Sequence, residues 1–368
     1  MDLAPALQLP VGDLDRLKRH IVALAENRPA VYRMIDPTGR VRYVGKAKRL
    51  RTRLLSYFRA RFPDDKAARV LHSTAEIDWD YQPSEFAALL AELRQIQRHR
   101  PVDNVRMNRR RRAAFIKVSG GAAPKLYVGS SPGADDTRHY GPFASVERLR
   151  DAVRALQDLL GLRHCALDMP IVYSEQGDLF AIPRRAGCIR YELRTCTGPC
   201  GGFVSEPEYR RRVDIAVGFL EAQHIAPLDR VVTEMTAAAD KRHFERAAWW
   251  RRRFEALEWL LAAGAQAHAA LEATSFVYID PGAYGDDRAY VVRRAAVRAA
   301  APAPRTPIEQ EAFCALVAEH VGDATDRGPI PAAAIDETLL VLGWFRRHPA
   351  AMARTVPLRE WLDHPPTC

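Results

Sequence analysis

Tyrosines on paired strands, a basic helix and a carboxylate on a second helix are the groups with which this sequence could do chemistry. Val31-Tyr32-Arg33-Met34-Ile35 alternates as a strand, Asp36-Pro37-Thr38-Gly39 reads as a turn, and Val41-Arg42-Tyr43-Val44 returns. Tyr32 and Tyr43 are therefore neighbours in one hairpin. The next segment, about 48–60, is a basic helix with Leu50, Leu54 and Phe58 as its apolar stripe. Beside that stripe Arg49, Arg53 and Tyr57 fall at i, i+4 and i+8, a second line on the same helix. Lys46 sits in the turn between strand and helix. Glu92 lies at the margin of the apolar face of a later helix, placed to point into a cleft. Such a set suits phosphodiester hydrolysis. A carboxylate holds a divalent cation, the cation and a guanidinium stabilise charge on phosphorus, and a phenol or bound water takes the nucleophile's proton. Taken singly, each residue has a plainer reading: strand tyrosines pack, and arginines on basic helices face water.

The elements that must hold these groups follow from the pattern. Residues 12–27 form a short amphipathic helix ended by Arg28-Pro29. Ser84 caps the helix that carries Glu92, whose core face is Phe86, Leu89, Leu90, Leu93 and Ile96, and Arg100-Pro101 stops it. Short strands over 113–145 and a helix over 145–160 come next. Residues 206–262 are helical in two halves meeting near Lys241-Arg242-His243. Ser275–Asp280 and Ala289–Arg294 form a hairpin, Ala299-Ala300-Ala301-Pro302-Ala303-Pro304 reads as a linker, and two helices end the chain. The fold class is α+β. The expected division is an N-terminal helix (1–27), a small domain with an antiparallel sheet flanked by helices (28–106), and a connector with a Cys-rich segment (107–205). A helical region (206–263) and a small α+β C-terminal appendage (264–368) complete it.

At 368 residues, with nearly half apolar, the chain can bury a substantial core. The net charge of +10 favours a polyanionic partner, because Lys and Arg release counterions from phosphates. No run of about 20 apolar residues is present, and the first fifteen residues lack a secretory pattern, so a cytoplasmic address is expected. In a reducing compartment the six cysteines are not read as a disulfide framework.

In combination these residues resemble a known signature. Ala30-Val31-Tyr32, Tyr43-Val44-Gly45-Lys46-Ala47, Arg53 and Leu54-Leu55-Ser56-Tyr57-Phe58 resemble the GIY-YIG nucleases, and within them the UvrC group. Glu92 and Arg100-Pro101-Val102-Asp103-Asn104 extend the likeness over about 28–105. The resemblance implies a DNA endonuclease in which Glu92 is the sole protein ligand of one Mg²⁺ or Mn²⁺. It implies that Arg53 stabilises the transition-state phosphate and that Tyr43 activates or orients water, helped by Tyr32 and Tyr57, with Lys46 and Asn104 in support. Ala30 stands where the family has glycine. Ala87 and Ala88 stand where it often has a second acid, with Glu85 a turn earlier. Arg49, Arg106, Arg109, Arg110, Arg111 and Arg112 are read as clamps on the DNA backbone.

Cys165, Cys188, Cys196 and Cys200 lie in one segment. By spacing alone they are four free thiols, a zinc site or an iron–sulfur site. The resemblance favours a [4Fe-4S] cluster, with Zn²⁺ as the alternative and Cys165 the outlying ligand. Residues 228–261 resemble the UVR helical hairpin, which implies a UvrB-like partner met through Phe244, Glu245, Ala248, Arg251 and Phe254. Arg252 replaces an acidic residue of that motif. The likeness to the short Cho-type members implies a single incision 3′ to a lesion in excision repair. A catalytically weak docking module, or a nuclease of recombination or mobile elements, are the alternatives.

Overall fold

A computed structural model describes residues 13–104, 113–130, 136–176, 188–322 and 327–364. The basic run at Arg106 and Arg109 to Arg112 lies outside the described residues.

The first stretch builds a three-stranded antiparallel sheet with helices around it. Asp13 caps α1 (Leu14–Leu24) by accepting the Arg16 N–H at 2.9 Å, and Leu17 and Ile21 are its buried positions. Strands β1 (Ala30–Ile35) and β2 (Val41–Ala47) pair across a turn in which Asp36 accepts the N–H groups of Thr38 and Arg40. Gly39 takes φ +82° there, a conformation that favours glycine. Helix α2 (Leu50–Tyr57) is shorter than expected, and its buried positions are Leu50, Leu54 and Tyr57. Phe58 is half-buried at the C-cap, so the tyrosine replaces it on the core face. Helix α3 (Lys66–His72) and strand β3 (Glu76–Tyr81) were not anticipated. β3 completes the sheet in the order β2-β1-β3, which makes β1 its central strand. That position explains why Ala30, Val31, Tyr32 and Met34 are all fully buried.

Ser84 caps α4 (Glu85–His99), accepting the Ala87 N–H at 3.0 Å, and Arg100 ends it in the left-handed conformation before Pro101. Phe86, Ala87, Ala88, Leu90 and Glu92 are its buried residues, while Leu89, Leu93 and Ile96 are half-buried. The buried face is thus rotated toward Glu92, which sits inside it and not at its edge. Asn104 is buried and clamps β2: Val44 N–H donates to its Oδ1 at 2.8 Å, and its Nδ2 donates to the Val44 carbonyl at 2.7 Å.

The second compact unit draws on 111–273 and 322–336. Strands β4 (Ala114–Val118), β5 (Leu126–Gly129) and β6 (Arg138–Phe143) pair antiparallel. Helix α5 (Val146–Leu160) packs its apolar face into the core formed by Ile116, Val118, Leu126 and Tyr140, and ends at Gly161 with φ +67°. A short helix α6 (Ile189–Glu192) lies among the cysteines. Helices α7 (Glu206–Leu220), α8 (Ala226–Asp240) and α9 (Phe244–Glu272) follow, α8 and α9 forming the expected hairpin.

The chain then returns to the first unit, which comprises 1–110, 274–321 and 337–368. Strands β7 (Phe276–Asp280), β8 (Arg288–Arg293) and β9 (Ala296–Pro302) form an antiparallel sheet. Of the alanine-rich stretch read as a linker, Ala299 to Pro302 is therefore strand: its backbone completes the β8 ladder, and Pro302 falls at its end, where a missing N–H costs no ladder bond. Helix α10 (Pro307–Ala318) opens with a capping box between Thr306 and Glu309. The two-residue strand β10 (Ile330–Pro331) pairs with β6 in the second unit. Helix α11 (Ile335–Arg347), helix α12 (Pro349–Met352), strand β11 (Thr355–Pro357) on β7, and α13 (Leu358–Asp363) complete the chain. Among the described residues no helix is long and apolar enough to cross a membrane.

Asn104→Ala leaves a buried donor and acceptor of Val44 unpaired. Urea unfolding is expected to show a loss of about 2–4 kcal/mol.

Candidate active site

Tyr32, Tyr43 and Tyr57 form a triangle, with ring centroids 6.2 Å apart for Tyr32–Tyr43, 6.2 Å for Tyr32–Tyr57 and 6.4 Å for Tyr43–Tyr57. The Tyr32 and Tyr57 hydroxyls share a hydrogen bond of 2.8 Å. Tyr32 and Tyr57 are buried and Tyr43 is half-buried, so Tyr43 is the member of the three that a ligand can reach. The residue opposite Tyr32 across the hairpin is Gly45. A Cβ there would lie 2.5 Å from the Tyr32 hydroxyl and 2.9 Å from the Tyr43 ring, so the triangle needs glycine at this position.

The charged groups close around the triangle. The Arg53 guanidinium stands 5.2 Å from the Tyr57 ring centroid and beside the hydroxyls of Tyr32 and Tyr43. Glu92 is buried and accepts the Lys46 N–H at 3.2 Å. The Lys46 amine reaches instead to Glu85 at 3.1 Å, and Lys48 approaches the same carboxylate at 3.9 Å. Burial raises Glu85, but the hydrogen bond and charge of Lys46, with Lys48, outweigh it and hold its carboxyl below the usual range. Two residues of this neighbourhood escaped the sequence reading as site members. In the sequence Glu85 stands only as an acid one turn away from the family position. Lys66, whose amine lies 5.8 Å from the Tyr43 ring centroid, sits on a helix that the pattern did not reveal. Arg49, at the N-cap of α2, is exposed. Asn104 acts on the β2 backbone and so positions the strand that carries Tyr43.

Burial dominates the protonation of these groups. It pushes the Tyr32 hydroxyl up to about 12, and raises Tyr43 and Tyr57 as well. All three rest as neutral phenols near neutral pH. The Tyr43 oxygen can hold and align a water by accepting its hydrogen, while a phenolate is not the resting state. Glu92 is pushed up to about 7 by burial, against the charge and N–H of Lys46 and the charge of Arg53. A buried carboxylate with one N–H donor fits a hard divalent cation, which would compensate the lost solvation. Among the described residues no group of three or more His, Cys, Asp or Glu is arranged to hold a metal ion.

Residues 28–105 match the family model of the UvrC-like GIY-YIG domain, and residues 113–219 match that of the UvrC/Cho excinuclease middle domain. The chain is a GIY-YIG protein of the UvrC/Cho type. Among curated relatives, the UvrABC system protein C of Shewanella denitrificans is 33% identical over 227 residues, 62% of this chain and 36% of the relative. That of Moorella thermoacetica is 32% identical over 238 residues, 64% of this chain and 37% of the relative. The chain thus spans about a third of the length of these relatives. The solved GIY-YIG N-terminal endonuclease domain of UvrC from Thermotoga maritima, bound to magnesium, is 33% identical, covering 24% of this chain and 94% of that one, with a TM-score of 0.21.

The UvrC/Cho-type match also reaches the cysteine segment. Cys165, Cys188, Cys196 and Cys200 are half-buried free thiols. Burial pushes Cys196 and Cys200 up, and the charges of the other cysteines add to both, so the four sulfurs share one neighbourhood. Cys196 Sγ already accepts the Gly198 N–H at 3.4 Å, and an Arg163 N–H faces Cys165 Sγ at 3.5 Å. Lys125 donates to the Cys165 carbonyl at 2.7 Å. The donors suit thiolates, yet no three are set at ligand spacing. On the α8–α9 hairpin, Phe244, Glu245, Ala248 and Arg251 are exposed, while Phe254 is half-buried against the core. Arg251 pairs with Glu255 at 3.0 Å. Of the adjacent tryptophans, Trp249 faces outward under the Arg253 guanidinium and Trp250 packs inward.

The Glu92 shift has a stability consequence. Its folded pKa lies above the ordinary 4.5, so the native state binds the extra proton and stability falls as pH rises from there through about 7. In chelator, Glu92→Gln is expected to be more stable than wild type at about pH 8, by on the order of 3 kcal/mol, and equal to it at about pH 4. Urea unfolding at the two pH values measures the difference.

Proposed function

We propose that this chain is a divalent-cation-dependent DNA endonuclease of excision repair that cuts a phosphodiester bond on the 3′ side of a lesion. The observation that carries the reading is the meeting of Tyr43, Arg53 and Glu92 around the Tyr32–Gly45 pair. Glu92 holds one Mg²⁺ or Mn²⁺, as the Thermotoga maritima domain holds magnesium. Bound there, the cation supplies Lewis-acid stabilisation of charge on the scissile phosphate. Arg53, exposed at the rim and steadied by the Tyr57 ring, binds the phosphate and favours the charge that builds on it. Tyr43 aligns the attacking water, and the Tyr57–Tyr32 hydrogen bond fixes the Tyr57 ring beside it. Lys46 steadies Glu92 through its N–H and screens Glu85 through its amine. DNA is the polyanion that the net charge of +10 favours, with Arg49 on the exposed side of α2 as a backbone contact. The relatives named for the UvrABC system support a UvrB-like partner, and the exposed Phe244, Ala248 and Arg251 of the hairpin are its contact surface.

Nicking of an end-labelled duplex containing one lesion, with UvrA, UvrB and Mg²⁺ or Mn²⁺, tests the reading. Wild type is expected to cut 3′ to the lesion. Arg53→Ala is expected to be slower by about a hundred-fold or more, and Glu92→Gln to be inactive at any cation concentration. Equal cutting by wild type and both variants would place the chemistry elsewhere.

The same proposal assigns Cys165, Cys188, Cys196 and Cys200 to a [4Fe-4S] cluster, with Zn²⁺ as the alternative. What supports it is the shared neighbourhood of the four thiols and the N–H donors already facing two of the sulfurs. Elemental analysis of protein purified without oxygen is expected to find iron and acid-labile sulfide together, lost in Cys196→Ser. Zinc without sulfide would select the alternative, and neither element would leave four free thiols.

A further inference from the structure

The return of the chain to the first unit gives residues 274–321 and 337–363 a task that the nuclease motifs do not contain. Helix α4 carries both acids of the site, Glu85 in its first turn and Glu92 two turns on. Its N-cap is held from outside the GIY-YIG segment. The Ser84 hydroxyl accepts the Ala87 N–H at 3.0 Å and donates to Asp280 Oδ2 at the end of β7. Asp280 is buried, and its other oxygen accepts the Tyr278 hydroxyl at 2.9 Å. Two residues on, the fully buried Phe86 ring is caged by aromatic rings. Tyr278 and Tyr290 meet it edge-on at 5.4 and 5.1 Å, Trp344 lies at 5.3 Å and Phe345 at 6.0 Å. The Ala283 N–H donates to the Pro83 carbonyl at 2.9 Å, fixing the residue before the cap.

These contacts have a common direction. Each ends on residues 83–86, the first turn of the helix, and each comes from β7, β8, the loop between them or α11. The GIY-YIG segment itself holds α4 at two points, through the Lys46 amine on Glu85 in the first turn and through the Lys46 N–H on Glu92 two turns along. A charged acceptor on the cap hydroxyl and edge-on aromatic contacts each strengthen the hold on the first turn. Such a clamp sets the axial position and rotation of the helix, and with them the point to which Glu92 reaches.

We propose that Asp280 is a positioning residue for the cation site: the Tyr278–Asp280–Ser84 relay and the cage around Phe86 brace helix α4 so that Glu92 is presented to the cation. The inference rests on the reading of Glu92 as cation ligand given above, and its test has a readout independent of that reading. The Asp280 carboxylate bonds to the hydroxyls of Ser84 and Tyr278. It acts through Ser84 and the helix.

The experiment uses the full chain as wild type, Asp280→Ala, Tyr278→Phe and Ser84→Thr, each assayed well below its own melting temperature. Mn²⁺ affinity is measured by titration in the absence of DNA, and amide hydrogen exchange is followed across residues 85–93 and across the β1–β2 hairpin. For Asp280→Ala the expected result is faster exchange over 85–93 with the hairpin unchanged, and Mn²⁺ affinity weakened about five-fold. The cation concentration for half-maximal nicking rises in step, and the rate at saturating Mn²⁺ is recovered. Tyr278→Phe shows a smaller effect, and Ser84→Thr, which keeps the hydroxyl, behaves as wild type. A lower melting temperature in Asp280→Ala with unchanged exchange over 85–93 and unchanged Mn²⁺ affinity would overturn the brace. Wild type that binds no Mn²⁺ would defeat the reading of Glu92, while the exchange data would still decide whether the relay holds the helix.

Discussion

The cross-strand pair of Tyr32 and Gly45 is the constraint on which the site depends. A buried tyrosine on the central strand needs space over its neighbour, and only a residue without a Cβ provides it. With Tyr32 seated there, Tyr57 hydrogen-bonds to it, Tyr43 completes the triangle, and Arg53 is brought onto the Tyr57 ring by the helix that supplies both. One steric condition on the hairpin thus fixes four polar groups.

The site combines groups that burial makes reluctant to ionise with a cation that cannot lose its proton. The tyrosines rest neutral and Glu92 is poised near neutrality, whereas Arg53 keeps its charge at the solvent edge. An anionic ligand therefore meets fixed positive charge first, and the buried Glu92 carboxylate is offset within the chain by the Lys46 N–H and the charges of Lys46 and Arg53. Electrostatic preorganisation of this kind costs folding stability, which the surrounding structure must supply. The clamp of Asn104 on β2 and the aromatic cage around Phe86 lie on the two elements that carry Tyr43 and Glu92.

The chain's second unit has a different physical character. Its core is apolar, built from α5 against a four-stranded sheet and the long helices. Its polar interest lies at the edge, in half-buried thiols and in the exposed face of a helical hairpin whose Phe244 is 71% exposed.

By itself, the sequence determined the hairpin, the cap of α4, the α8–α9 hairpin and the candidacy of Tyr32, Tyr43, Arg53, Tyr57 and Glu92. Each of these follows from local rules: alternation on a strand, a serine before an apolar period, a turn whose Asp and Gly satisfy its own backbone. It also carried the GIY-YIG signature, because that chemistry depends on residues close together in the chain. The short, mixed pattern of β3 and α3 carries no clear period, and Lys66 goes unmarked with them. Ala299 to Pro304 reads as a linker, since alanine and proline carry no strand signal and only the β8 ladder makes Ala299 to Pro302 a strand. Tertiary structure alone decided that Phe58 yields the core to Tyr57, that Glu92 is buried, and that Asp280 meets Ser84 across 196 positions. Burial and long-range pairing are properties of the packed chain, and no local window of residues contains them.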